Sequence, residues 1–204
     1  ILFGINFSAY YLVLSRRLRD ALRIEEIRLY LGIILGFTLL ITFNVRDMFG
    51  SFFESFHHAL FQVASIITTT GFATVDFNYW PAFSKSLLVL LMFIGACAGS
   101  TGGGIKCSRI VLMLKSIKKE MQYLIHPRAV RVNKMDGHRV QHEVMRSVNV
   151  FLIAYLLIFV VSVLLVSLNC DDMVTNFTAV ATALNNVGPG LELVGPSANF
   201  NFLA

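Results

Sequence analysis

From Ser147 to Leu168 the chain runs 22 residues without a charged side chain. That is the length and character a helix needs to cross the ~30 Å hydrocarbon core of a bilayer. Such a run restricts the fold severely. In lipid every backbone polar group must be satisfied internally, so a spanning segment is a helix or part of a closed barrel. Composition agrees: 56% of the 204 residues are hydrophobic and 14% charged, where a soluble domain carries about a quarter charged residues. The chain reads as an all-α membrane protein. Gly4 to Leu14 reads as the tail of a helix already under way, with no signal-peptide pattern, and the whole as part of a larger subunit.

Two further apolar runs, Leu29 to Val45 and Ala82 to Ala98, read as crossings. In the first, Gly32 and Gly36 form a small-xxx-small pair that would permit close helix approach. Two apolar segments are too short to cross. Phe56 to Ile67 follows Ser51-Phe52-Phe53-Glu54, which fits a capping box. Met173 to Leu184 follows Asp172, a candidate N-cap. Each short segment runs into a glycine-bearing stretch, Thr68 to Thr74 in one case and Asn185 to Gly190 in the other. Superposing Gly71 on Gly188 sets Val63-Ala64 over Val180-Ala181, so the order of elements repeats. Between them Gly99 to Gly104 interrupts the apolar run, Ile105 to Tyr123 resumes a helical pattern, and His126-Pro127 ends it.

Charge placement predicts topology. Of 17 Lys and Arg, five lie in 16–28 and ten in 106–146; only Arg46 and Lys85 lie elsewhere. The positive-inside rule puts both rich segments in the cytoplasm. The number of crossings between them must then be even, so 51–67 dips in and returns on the outer side. The outer segments hold six acids (Asp47, Glu54, Asp76, Asp171, Asp172 and Glu192), which would raise local cation concentration.

Extended backbone at membrane depth is tolerated only where protein or a water-filled cavity surrounds it. Consecutive carbonyls there can replace the hydration shell of a cation. The C-terminus of a short helix entering from outside adds about half a negative charge, and glycine at 71 and 188 lets the backbone aim carbonyls without a side chain in the way. The same reasoning makes Gly99, Ser100, Thr101, Gly102, Gly103 and Gly104 a flexible segment able to block or clear a path below.

Other chemistry is not supported. The three cysteines are expected in separate settings, Cys97 in an apolar helix, Cys107 beside Lys106 and Cys170 at a helix end. No Cys/His cluster suggests zinc or a disulfide framework. Gly99-x4-Gly104 has Walker A spacing, but Ile105 stands where the lysine should and no strand precedes it. No catalytic pair appears, so neither an enzyme nor a cofactor is implied. The charge distribution does not point to nucleic acid. His57 and His58 read as structural, and Lys106 and Arg109 as groups that snorkel, pair with headgroups or touch a partner.

Thr-Thr-Thr-Gly-Phe-Ala-Thr at 68–74, Gly-Ser-Thr-Gly-Gly-Gly-Ile-Lys at 99–106, His-Pro-Arg at 126–128 and Asn-Val-Gly-Pro-Gly at 186–190 resemble the TrkH branch of the Trk/Ktr/HKT potassium-transporter superfamily. The resemblance covers nearly the whole chain in matching order. It implies four helix–pore-loop–helix repeats around a potassium path, of which this chain holds part. Residues 1–28 would end the second repeat and add a cytoplasmic linker. Residues 29–124 would form the third repeat, 125–146 a cytoplasmic loop, and 147–204 the fourth, truncated after its filter. Backbone carbonyls of Thr68, Thr69, Thr70, Gly71, Asn185, Asn186, Val187 and Gly188 would line the filter, and 99–104 would be an intramembrane gating loop. The family associates glycine at the filter position with potassium preference and serine with sodium permeation. It also implies a bacterial inner-membrane location, a homodimer and a cytosolic nucleotide-binding regulatory subunit of the TrkA kind. The basic surface 106–146 could dock that subunit or face anionic lipid. An alternating-access symporter coupled to sodium or protons is the other function compatible with broken helices.

Overall fold

The computed structural model describes residues 1–126, 133–169, 172–198 and 200. Among these residues eight α-helices and one small hairpin follow in order, with short 3-10 turns between some of them: α1 (Phe7–Leu14), α2 (Leu18–Ala21), α3 (Glu25–Val45), α4 (Phe52–Ile67), α5 (Ala82–Phe93), α6 (Cys107–Ile125), β1 (Lys134–Met135), β2 (His138–Arg139), α7 (His142–Val166) and α8 (Met173–Asn185). The two strands pair antiparallel, Met135 opposite His138. Residues 127–128 of the His-Pro-Arg motif, and Asp171 and Cys170, lie outside the described residues.

Local chemistry sets several of the boundaries. Ser51 accepts a hydrogen bond from the Glu54 N–H at 3.2 Å, so the expected cap forms and α4 begins at Phe52, four residues before the apolar run. Asp172 caps α8 through the N–H groups of Val174 and Thr175. Among the described residues two helical segments, Glu25–Met48 and His142–Val166, are long and apolar enough to cross a membrane.

The run 82–98 is not one helix. α5 stops at Phe93, and its 12 residues reach only about 18 Å at 1.5 Å each. Beyond it the backbone finds partners across a loop. Ile94 and Ile105 form a parallel bridge, the Gly95 N–H donates to the Ile105 carbonyl at 2.8 Å, and the Cys107 N–H to the Ala96 carbonyl at 3.1 Å. These bonds replace the ones a continuing helix would have made, so the break opens at Ile94 rather than at Gly99. Cys97 consequently lies in extended chain, not in a helix. Gly95 permits the close pass, because a Cβ there would strike the Gly103 carbonyl.

One core joins α3, α4 and α5 through Ile34, Ile41, Val63, Ile67, Leu88 and Met92. A second joins α5, α7 and α8 through the rings of Phe93, Phe159 and Phe177, whose centroids lie 5.0–5.9 Å apart. Much of α7 faces outward with exposed Leu157, Val160, Val161, Leu164 and Leu165. A Cβ on Gly32 or Gly36 would meet open space, so neither mediates close helix approach among the described residues.

Candidate functional site

α4 and α8 end in the same way. At the end of α4, Thr69 takes a left-handed conformation (φ 55°), its N–H donates to the Ile66 carbonyl at 3.0 Å, and the Thr70 N–H reaches the Ser65 carbonyl at 2.9 Å. At the end of α8, Asn186 is left-handed (φ 56°), its N–H donates to Ala183 at 3.3 Å, and the Val187 N–H reaches Thr182 at 2.9 Å. Both are Schellman closures, which satisfy terminal carbonyls and turn the chain sharply. Both put a positive-φ glycine two residues later, Gly71 at 79° and Gly188 at 108°. The superposition of Gly71 on Gly188 is therefore a match of backbone geometry.

Side chains on each short helix then hold the outgoing strand. From α4, Ser65 Oγ donates to the Phe72 carbonyl at 2.6 Å, Gln62 Nε2 to the Val75 carbonyl at 3.3 Å, and His58 Nδ1 pairs with Thr74 Oγ1 at 3.0 Å. From α8, Thr178 Oγ1 accepts from the Leu191 N–H at 3.1 Å and Thr175 Oγ1 from Leu193 at 3.4 Å. The two outgoing segments thus run back along their own helices.

The loops face each other. A Cβ on Gly188 would stand 3.6 Å from Gly71 Cα, and one on Gly71 only 2.5 Å from the Val187 carbonyl oxygen. The third segment closes on both. The Gly103 N–H donates to Thr69 Oγ1 at 2.9 Å; a Cβ on Gly102 would lie 3.4 Å from the Thr68 carbonyl, and one on Gly103 would strike that of Asn185. All three expected stretches, 68–71, 185–188 and 99–104, therefore meet. Thr68 Oγ1 is occupied by the Ala64 carbonyl at 2.7 Å and Asn185 Oδ1 by the Tyr155 hydroxyl at 2.9 Å. At both positions the backbone carbonyl is the group left for other work.

A model of the TrkH family, described as a cation transport protein, matches residues 9–202. The Trk system potassium uptake protein TrkH of Salmonella typhimurium is 37% identical over 194 residues, covering 94% of this chain and 40% of that protein. This chain belongs to the TrkH family. It is also 37% identical over 203 residues to the Trk system potassium uptake protein TrkG of Escherichia coli, covering 97% of this chain and 41% of that relative. The crystal structure of the potassium transporter TrkH from Vibrio parahaemolyticus superposes with a TM-score of 0.87 at 36% identity, over 95% of this chain and 42% of that one. The chain spans about two fifths of the length of these TrkH-family relatives.

Several side chains stand differently from expectation. Lys106 turns inward and its Nζ donates to the carbonyls of Gly102 and Ser100. Arg109 lies over the Phe151 ring, 4.1 Å from its centroid. Among the acids expected on the outer side, Asp47 pairs with Arg46 at 3.3 Å, Glu192 with Lys85 at 3.5 Å, and Asp76 caps the turn at Asn78 and accepts from Ser197. The sequence reading passed over Gly95, Ser65 and Glu26. Glu26 sits in a basic linker, where a first-turn acid looks like ordinary helix chemistry.

Proposed function

We propose that this chain carries two pore-loop quarters of a potassium uptake protein of the bacterial inner membrane. In this reading α4 and α8 are re-entrant helices. The carbonyls of Thr68, Thr69, Thr70 and Gly71 and of Asn185, Asn186, Val187 and Gly188 line the filter, and Gly99 to Gly104 gates it. The observation that carries the reading is the paired backbone geometry at Gly71 and Gly188. Two identical helix closures bring two positive-φ glycines face to face with the glycine loop packed against both. Backbone carbonyl oxygens that can replace a hydration shell suit a weakly hydrated monovalent cation. Among the described residues no group of three or more His, Cys, Asp or Glu gathers, so the oxygens available to an ion there are carbonyls and hydroxyls.

The same geometry supports the division into repeats. Residues 29–124 take α3 from Leu29 on, α4, α5 with the broken segment, and α6 as far as Leu124; residues 147–204 take α7 from Ser147 on, α8 and the second loop, so α3 and α7 each begin a few residues ahead of the expected boundary. The outer return of α4 follows from charge placement, with 16–28 and 106–146 cytoplasmic. The second crossing of that repeat is then α5 with the segment that follows it, over 82–98, and α6 belongs to the cytoplasmic stretch. The names of the relatives support potassium as the cargo, and a homodimer with a TrkA-like regulatory subunit is the assembly we assign.

The test is potassium and sodium flux into liposomes carrying the full-length subunit, as wild type and as Gly71→Ser. Wild type is expected to prefer potassium, and the serine variant to lose that preference. Unchanged selectivity would remove Gly71 from the filter. Voltage-driven flux without any coupled ion gradient separates the channel-like reading from sodium- or proton-coupled symport.

A further inference from the structure

Glu26 lies in the first turn of α3 and is only 3% exposed. A carboxylate withdrawn from water needs donors that replace its hydration. Its Oε1 receives two, the Ala98 N–H at 2.6 Å and the Ser108 N–H at 2.8 Å. These amides stand on opposite sides of the glycine run 99–104, so one oxygen ties both ends of the loop together. Ser108 is the second residue of α6, whose free N-terminal amides favour a negative charge.

The turn that carries Glu26 is itself anchored. The Glu25 N–H donates to Asp136 Oδ1 of the hairpin at 2.8 Å, and the Glu25 carboxylate pairs with Lys115 of α6. Lys115 Nζ also donates to the Lys134 carbonyl at 2.6 Å. Glu26 therefore reaches the loop from a fixed base. The loop has little stiffness of its own, since Gly99 and Gly104 are both left-handed and four of its six residues are glycine.

We propose that Glu26 is a positioning residue for the glycine loop: its carboxylate clamps Ala98 to Ser108 and so keeps 99–104 seated against Thr69 and Asn185. The inference deepens the gate reading of that loop and rests on it. Two native thiols report on the clamp. Cys97 and Cys107 adjoin the clamped residues, and both are fully buried.

The experiment uses the full-length subunit in liposomes as wild type, Glu26→Ala, Glu26→Gln and Glu26→Asp. It measures maleimide modification of Cys97 and Cys107 by peptide mapping, beside potassium and sodium flux. Losing two bonds to a charged acceptor is expected to raise the labelling rate in Glu26→Ala about tenfold, with higher resting potassium flux and unchanged potassium preference. Gln keeps an acceptor oxygen at full reach and should stay nearer wild type than Asp, whose shorter arm cannot serve both amides. Wild-type labelling in Glu26→Ala overturns the proposal. So does labelling that rises together with loss of ion preference, which marks general loosening. Faster labelling without a change in flux leaves the clamp standing and removes the gate reading instead. If Glu26→Ala does not fold, the Gln and Asp variants decide: faster labelling in Asp than in Gln supports the clamp, and wild-type labelling in both overturns it.

Discussion

The Gly103 N–H donates to Thr69 Oγ1 at 2.9 Å, joining the glycine loop to the stretch that follows α4 across 34 residues of sequence. Thr69 is the left-handed residue of the α4 closure. The hydroxyl that seats the loop is therefore aimed by the same turn that sends the chain toward Gly71.

Thr69→Val keeps the branched shape and removes the acceptor. Leaving the Gly103 N–H without that partner costs the seated loop about 1 kcal/mol, which shifts a two-state balance roughly fivefold. Resting potassium flux through the full-length subunit should rise by about that factor. Flux at or below wild type would mean this bond does not hold the loop shut.

The two facing glycines should differ in tolerance. Alanine at either incurs strain of about 1–3 kcal/mol from the left-handed backbone. At Gly71 its Cβ would also press on the Val187 carbonyl, whereas at Gly188 the nearest atom is Gly71 Cα at 3.6 Å. Gly71→Ala should lower the melting temperature in detergent further than Gly188→Ala. Equal losses would show that the loops separate freely.

Asp172 offers a pH test outside the proposed spanning segments. The Thr175 hydroxyl and N–H, with the Val174 N–H, hold its carboxyl below the usual carboxylate range. A depressed folded-state value means the ionised form favours folding. That contribution is complete above the ordinary carboxylate value and disappears as pH falls through the depressed one. Asp172→Ala should cost about 1 kcal/mol at neutral pH, as for other N-caps, and the gap from wild type should close in strong acid. Thermal unfolding at the two pH values measures it; a gap that persists in acid would assign the loss to packing.

Tyr155→Phe removes the hydroxyl that holds Asn185 Oδ1 at 2.9 Å. Asn185 is fully buried, and its side chain then keeps, among the described residues, the bond from Nδ2 to the Ala181 carbonyl. Stability should fall by about 1–2 kcal/mol, and the carbonyl at 185 should lose its fixed aim. Reduced potassium preference with little loss of protein would separate the second effect from the first.

The sequence by itself determined the elements whose signals are local. The uncharged run at 147–168 forced a long helix, Ser51 and Asp172 set the starts of the two short ones, and glycine at 71 and 188 marked positions of positive φ, though the turn itself is already left-handed at Thr69 and Asn186. Those are statements about one residue and its near neighbours. Tertiary structure alone decided where the broken helix stops, because beyond Phe93 the Gly95 N–H donates to the Ile105 carbonyl and the Ala96 carbonyl accepts from the Cys107 N–H, partners beyond any helical period. It alone turned Lys106 inward and brought Glu26, some seventy residues earlier, onto Ala98 (72 apart in sequence). Hydrophobic periodicity records which face of a helix is buried; it carries no record of which distant amide a buried carboxylate will meet. That pairing is chosen only when packed helices remove water and leave each buried polar group few partners within reach.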